Sequence, residues 1–202
     1  MSADGAGRRR IVVLISGSGS NLQALIDAGD LGGDLVLVVS DRPGAGGLER
    51  AARAGIPTVT VPLGDHPDRQ AWEQALIAAV AEAEPDLVVL AGFMKILTGA
   101  FVDRWPTVNV HPSLLPAFPG AHAPEEAIAW GVKVSGVTVH YVDEKVDHGP
   151  IIAQEAVPLE DGDTSDTLHA RMQAVEHRLL PEAVALICAG RVTIDGRHTR
   201  IQ

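Results

Sequence analysis

The chain has 202 residues, 46% hydrophobic but only 3% aromatic, and a formal net charge of -10 at pH 7. That length suits one domain around one aliphatic core, and the acidic balance argues against a nucleic-acid backbone as the main ligand while leaving a local site free to hold a small anion. The one cysteine, Cys188, excludes an internal disulfide and a cysteine-based zinc site, and fits a reducing cytoplasm.

Met1 to Arg10 is polar and ends in Arg8-Arg9-Arg10, so residues 1–10 are expected to be an unstructured lead-in. The apolar run that follows, Ile11 to Ile15, is shorter than a signal-peptide core, and no stretch approaches a membrane span, so no membrane is expected as a partner. Ser16-Gly17-Ser18-Gly19-Ser20-Asn21 breaks the run, after which Leu22, Leu25 and Ile26 recur at helical spacing: strand, glycine-rich turn, helix. Leu35 to Val39 reads as a second buried strand, 44–55 as a loop and an alanine-rich helix, and Thr58 to Val61 as a short third strand. Asp68 to Ala83 carries Trp72, Leu76, Ile77 and Val80 on one face and predicts an amphipathic helix. Asp86 to Ala91 is a fourth strand, and a short helix around 98–104 leads to Val108-Asn109-Val110-His111. This alternation predicts a parallel sheet with right-handed crossovers.

The second half changes character. Glu125 to Trp130 reads as a short helix, Val134 to Val142 and Ile151 to Val157 as strands joined by a hairpin-like loop, and Asp163-Thr164 as the cap of a long helix to about Ala189. Val192 to Gly196 reads as a strand into a tight turn, and the arginines at 8–10 and 197–200 as solvated ends. The expected fold is therefore a single-domain α/β, Rossmann-like open sheet, parallel in its first half with antiparallel late strands and helices on both faces.

Two groups of residues carry chemistry. Backbone N–H groups of the Gly17-Ser18-Gly19-Ser20-Asn21 turn, at a helix N-terminus, suit a phosphate. The third glycine of a dinucleotide fingerprint is missing, since Leu22 follows, and no P-loop lysine is present, so a phosphate monoester is expected even though Asp41 lies at a distance suited to a ribose contact. Asn109 and His111 alternate onto one face of a strand that Pro112 and Pro116 stop. An amide and an imidazolium aimed at one point stabilise an oxyanion, and a carboxylate such as Asp147 keeps the imidazole charged. No Gly-x-Ser-x-Gly elbow exists for a serine hydrolase. The spacings of His111, His122, His140 and His148 match no standard ligand set, so no metal is expected.

The segments Leu14 to Gln23, Leu90 to Leu97, Asn109 to Pro116 and Gly136 to His140, with Asp147-x-Gly149, resemble in order the phosphoribosylglycinamide formyltransferase family from about residue 11 to residue 191. The resemblance implies transfer of a formyl group from 10-formyltetrahydrofolate, as co-substrate, to the amine of glycinamide ribonucleotide in purine synthesis. It implies Asn109, His111 and Asp147 as catalytic groups and Gly19, Ser20, Asn21 and Glu176 as nucleotide contacts. Arg69 and Met94, Lys95, Ile96 and Leu97 would hold the folate, with Ile96 and Leu97 partly buried before ligand arrives. The chain is expected to divide into a phosphate-binding half over 11–110 and a folate-binding and catalytic half over 111–202, to take small molecules and no nucleic acid or membrane as partners, and to leave a homodimer open. Lys95 stands where the family often has arginine, and Asp41 where its second strand usually ends in Ser-Asn. The nearest rival is 10-formyltetrahydrofolate hydrolase, which passes the formyl group to water. A formyltransferase acting on charged transfer RNA would want an additional basic domain, and a nucleotide-binding sensor would not need Asn109 or Asp147.

Overall fold

The computed structural model describes residues 8–202, and β-structure starts at Arg9, so the lead-in expected over 1–10 lies outside the described residues for 1–7 and is already strand at its end. In chain order the elements are β1 (Arg9–Ile15), α1 (Ser20–Asp27), β2 (Gly33–Ser40), α2 (Gly46–Arg53), β3 (Thr58–Thr60), α3 (Arg69–Ala81), β4 (Leu87–Leu90), α4 (Gly99–Val102) and β5 (Thr107–His111). They continue as α5 (Ala123–Trp130), β6 (Val134–Tyr141), β7 (Ile151–Pro158), α6 (Ser165–Cys188), β8 (Val192–Asp195) and β9 (His198–Ile201). Seven strands form one sheet in the order β3-β2-β1-β4-β5-β6-β7. Strands β1 to β5 pair in parallel, and β6 and β7 are antiparallel additions at one edge.

The aliphatic runs form inner strands because both faces are covered. Ile11, Val13 and Ile15 pack with Leu22 and Leu25 of α1 and with Leu168, Met172 and Leu180 of α6. Val12 and Leu14 face the other way, into Trp72, Leu76, Ile77 and Val80 of α3 and Phe101 of α4. Each such fully buried side chain contributes about 1.5–3 kcal/mol of transfer free energy. The N-terminal signals act as expected: Asp68 accepts from the Ala71 N–H, and Thr164 and Thr167 form a reciprocal cap on α6.

Strand order reverses beside β1. The chain steps outward through β2 and β3, then returns to β4 on the other flank of β1, which opens a crevice where the turns after β1 and β4 diverge. The arginines read as solvated ends are exposed, and both ends are nevertheless tied to the fold. Residues 198–201 form β9, which pairs with β8 as a hairpin. Arg8, at the other end, reaches Asp34 at 2.7 Å and Asp30 at 3.0 Å. Among the described residues no helix is long and apolar enough to cross a membrane.

Candidate active site

A cavity of about 530 Å³ opens at the carboxyl ends of β1, β4 and β5. The Ser16–Asn21 turn lies on one side, Gly92–Leu97 beside it, Asn109 and His111 at its centre, and most of 142–147 on the far side. The two turns are tied together: the Ser16 N–H donates to the Gly92 carbonyl at 3.1 Å, and the Met94 N–H donates to Ser16 Oγ at 2.8 Å.

Gly19 makes the first turn possible. Its φ is +74°, and a Cβ there would lie 2.4 Å from Gly47 Cα, so neither the backbone conformation nor the packing against α2 admits a side chain. Arg50 of α2 braces the turn by donating from Nε to the Ser18 carbonyl at 2.9 Å. Asn21 is buried and donates from Nδ2 to Glu176 Oε2 at 2.8 Å, bringing together two residues that lie 155 apart in sequence. Asn21 Oδ1 has no partner among the described residues. The same face of α6 adds Gln173 and His169 to the cavity wall. Sequence reading missed both, although with Glu176 they form a helical stripe that could have signalled them.

The segment after β4 hangs between two anchors. Phe93 is buried and stacks on Trp72 with ring centroids 6.5 Å apart. At the other end Thr98 donates from its N–H and its Oγ1 to the buried Glu73 carboxylate, both at 2.7 Å. Leu97 is buried as expected, but Ile96 is 60% exposed and Met94 62%, so the expectation that Ile96 is partly buried fails. Pinned at both ends, this short extended segment turns alternate side chains outward. Arg69 lies outside the cavity wall; its guanidinium sits over the Trp72 ring and donates to the Ile96 carbonyl. The Lys95 ammonium turns to Asp41 Oδ2 at 3.5 Å, and Asp41, buried, is absent from the cavity wall. Asp41 thus meets the lysine through Oδ2, while its buried Oδ1 has no partner among the described residues.

At the centre three groups converge. His111 Nδ1 lies 3.4 Å from Asp147 Oδ2, and Asn109 Nδ2 lies 3.4 Å from Asp147 Oδ1. His111 Nε2 donates to the Phe118 carbonyl at 2.8 Å. Both ring nitrogens thus face oxygen atoms. Burial by itself would raise the Asp147 carboxyl, but the neighbouring imidazoles of His140 and His111 and the Gly120 N–H, which donates to Oδ2 at 2.7 Å, hold it below the usual carboxylate range. It is therefore a carboxylate at neutral pH.

His140 is the fourth member, missed by the sequence reading. It lies opposite Asn109 in the β5–β6 register, 1% exposed. Its Nδ1–H donates to the Tyr141 carbonyl at 2.7 Å, which turns Nε2 toward Asn109 Nδ2 at 3.3 Å and Asp147 Oδ1 at 3.6 Å. Alternation along β6 marked its face, but only strand pairing could say whose neighbour it is.

A family model described as formyl transferase matches residues 9–184. The phosphoribosylglycinamide formyltransferase of Mycobacterium tuberculosis (strain ATCC 25618 / H37Rv) is 52% identical over 192 residues, covering 93% of this chain and 89% of that protein. The human trifunctional purine biosynthetic protein adenosine-3 is 45% identical over 192 residues, covering 93% of this chain but 19% of its own length. The crystal structure of glycinamide ribonucleotide transformylase 1 from Symbiobacterium toebii superimposes with a TM-score of 0.95 at 46% identity, covering 100% of this chain and 98% of that one.

Proposed function

From the premise that the chain belongs to the formyl transferase family, we propose that it transfers the formyl group of 10-formyltetrahydrofolate to the amine of glycinamide ribonucleotide. The products are formylglycinamide ribonucleotide and tetrahydrofolate, in purine biosynthesis. The observation that carries this reading is the convergence of Asn109, His111 and Asp147 between two dissimilar subsites of one cleft.

The nucleotide subsite is the Gly19-Ser20-Asn21 turn with Glu176, drawn from both ends of the chain. Its backbone N–H groups at the start of α1 suit a phosphate dianion, and the buried Glu176 carboxylate suits hydroxyl donors of a ribose. The folate subsite is the 94–97 segment, with Arg69 outside its rim as a cation for the anionic tail. The residues fit such a group: the exposed Met94 and Ile96 side chains offer apolar cover to a flat ring, and Lys95 contributes backbone only, since its ammonium is paired with Asp41.

Bound folate supplies the formyl carbon and the carbonyl oxygen on which charge develops. The nucleotide's neutral amine attacks that carbon. The His111 imidazolium and the Asn109 amide stabilise the resulting negative oxygen. For His111 Nε2 to do so, the oxygen takes the place of the Phe118 carbonyl that it contacts here. Asp147 holds the ring's charge from Nδ1, and a water beside its carboxylate relays the proton released from the amine to the folate nitrogen, whose bond to the formyl carbon then breaks as the carbonyl re-forms and tetrahydrofolate leaves. Holding both reactants in one cleft supplies much of the remaining rate.

The test is to supply 10-formyltetrahydrofolate and follow tetrahydrofolate with and without glycinamide ribonucleotide. Product should form only with the nucleotide, and formylglycinamide ribonucleotide should appear in equal amount. An equal rate without it would make water the acceptor and overturn the reading.

A further inference from the structure

Asp147 has an unusual backbone for a residue with a side chain, with φ at +50° in the left-handed region. Such a conformation persists only where the surroundings hold it. Its side chain is held by the groups it serves, so something else must hold the peptide. On the inner side is Gly149, where a Cβ would lie 1.9 Å from the Tyr141 carbonyl oxygen, and the Tyr141 N–H donates to the Pro150 carbonyl at 2.8 Å. On the outer side is Arg197, at the turn of the β8–β9 hairpin. Its NH2 group donates to the carbonyl of His148, the residue next to Asp147, at 2.8 Å, and its NH1 group lies 3.1 Å from His148 Nε2. His148 Nδ1 is 2.8 Å from Asp143 Oδ2, and Asp143 Oδ1 accepts from the Lys145 N–H at 2.9 Å, so the contact spans the loop from end to end. The hairpin is itself tied to β7, where Thr199 Oγ1 donates to the Ile151 carbonyl at 2.6 Å.

We propose that Arg197 is a positioning residue that acts through the His148 carbonyl to fix the loop at 143–149, and with it the Asp147 carboxylate, against the co-substrate side of the cleft. This rests on the role given to Asp147 above. Arg197 is far along the chain from every catalytic group and is absent from the cavity wall, so its effect reaches the chemistry only through the loop. The loop residues Asp143, Lys145, Val146 and Asp147 line the cleft and follow β6, which is separated by β4 and β5 from the β1 that leads into the phosphate turn. Loosening them should therefore weaken use of the folate and leave capture of the nucleotide intact.

Arg197→Ala and Arg197→Lys are compared with the unaltered protein in steady-state assays and in amide hydrogen exchange over 143–150, with Asp147→Asn alongside. Arg197→Ala should raise KM for the folate and lower kcat, together by about tenfold in kcat/KM, the size expected of one lost charge-assisted hydrogen bond. KM for the nucleotide should stay within about twofold. Exchange over 147–149 should quicken, and Arg197→Lys, which keeps a donor, should recover part of both effects. A merely destabilised protein would lose active fraction without a rise in one KM. Unchanged exchange in Arg197→Ala, or faster exchange with an unaltered folate KM, overturns the proposal. Near-normal turnover in Asp147→Asn would instead overturn the mechanism, and exchange would still report whether the hairpin holds the loop.

Discussion

At the scale of single residues, His111 makes the sharpest claim. Replacing it with alanine removes one oxyanion donor, worth about 2.7–4 kcal/mol in comparable sites, so kcat should fall by roughly 10²–10³ while KM for the nucleotide barely changes. Steady-state kinetics with each substrate varied in turn checks both halves. The Asp41–Lys95 pair makes a second. The Asp41 side chain is 1% exposed and Lys95 is its near cation, with Arg42 Nε at 3.9 Å. Lys95→Ala leaves a buried carboxylate short of its partner and should cost about 3 kcal/mol, whereas Asp41→Asn in the same chain should recover most of that. Denaturant melts of the single and double variants measure the coupling. The pair joins a buried acid to a partly buried lysine. Each was visible in the sequence, but their partnership was not, because it joins the end of β2 to the turn after β4 across the intervening β1.

Elements carry the next set of effects. The Gly17-Ser18-Gly19 turn was legible because glycine and serine between an apolar run and a helical period leave few alternatives. Gly19→Ala should disrupt it, since the new Cβ would meet the α2 backbone; nucleotide KM should rise much more than folate KM, which initial-rate assays can separate. The long helix α6 was equally legible from its cap. Thr164→Ala removes the hydroxyl that accepts from the Thr167 N–H at 3.2 Å and should lower stability by about 1 kcal/mol, read from a thermal or denaturant midpoint. Strand β9 was not legible: His198-Thr199-Arg200-Ile201 is short and polar, and its strand character comes from pairing with β8. Arg197 is exposed, as read, but its contact with the loop after β6 was not legible for the same reason, because the hairpin returns it there.

For the molecule as a whole, acid stability follows from carboxylates that the fold keeps ionised. Burial alone would raise Asp147, but its imidazole neighbours and the Gly120 N–H lower it; Asp163, through Arg171, the Glu160 N–H and Thr167, is held well below the usual range. A carboxyl whose folded value is depressed adds stability that is complete above its unfolded value, about 3.9, and is lost as pH falls through the folded value. Stability should thus be insensitive to these groups near neutrality and decline below about pH 4. In Asp147→Asn the part of that decline due to this residue should vanish, as urea midpoints taken across pH would show.

Local pattern determined the elements other than β9, the sheet's largely parallel character, the phosphate turn and the facing of Asn109 and His111, because apolar period and turn chemistry act over a few residues and need no partner. Tertiary structure alone decided which strand lies beside which, and so placed His140 against Asn109, Glu176 against Asn21, Lys95 against Asp41 and Arg197 behind Asp147. Those contacts join residues tens to more than a hundred positions apart. Their geometry is set by strand order and register, which no single segment encodes by itself.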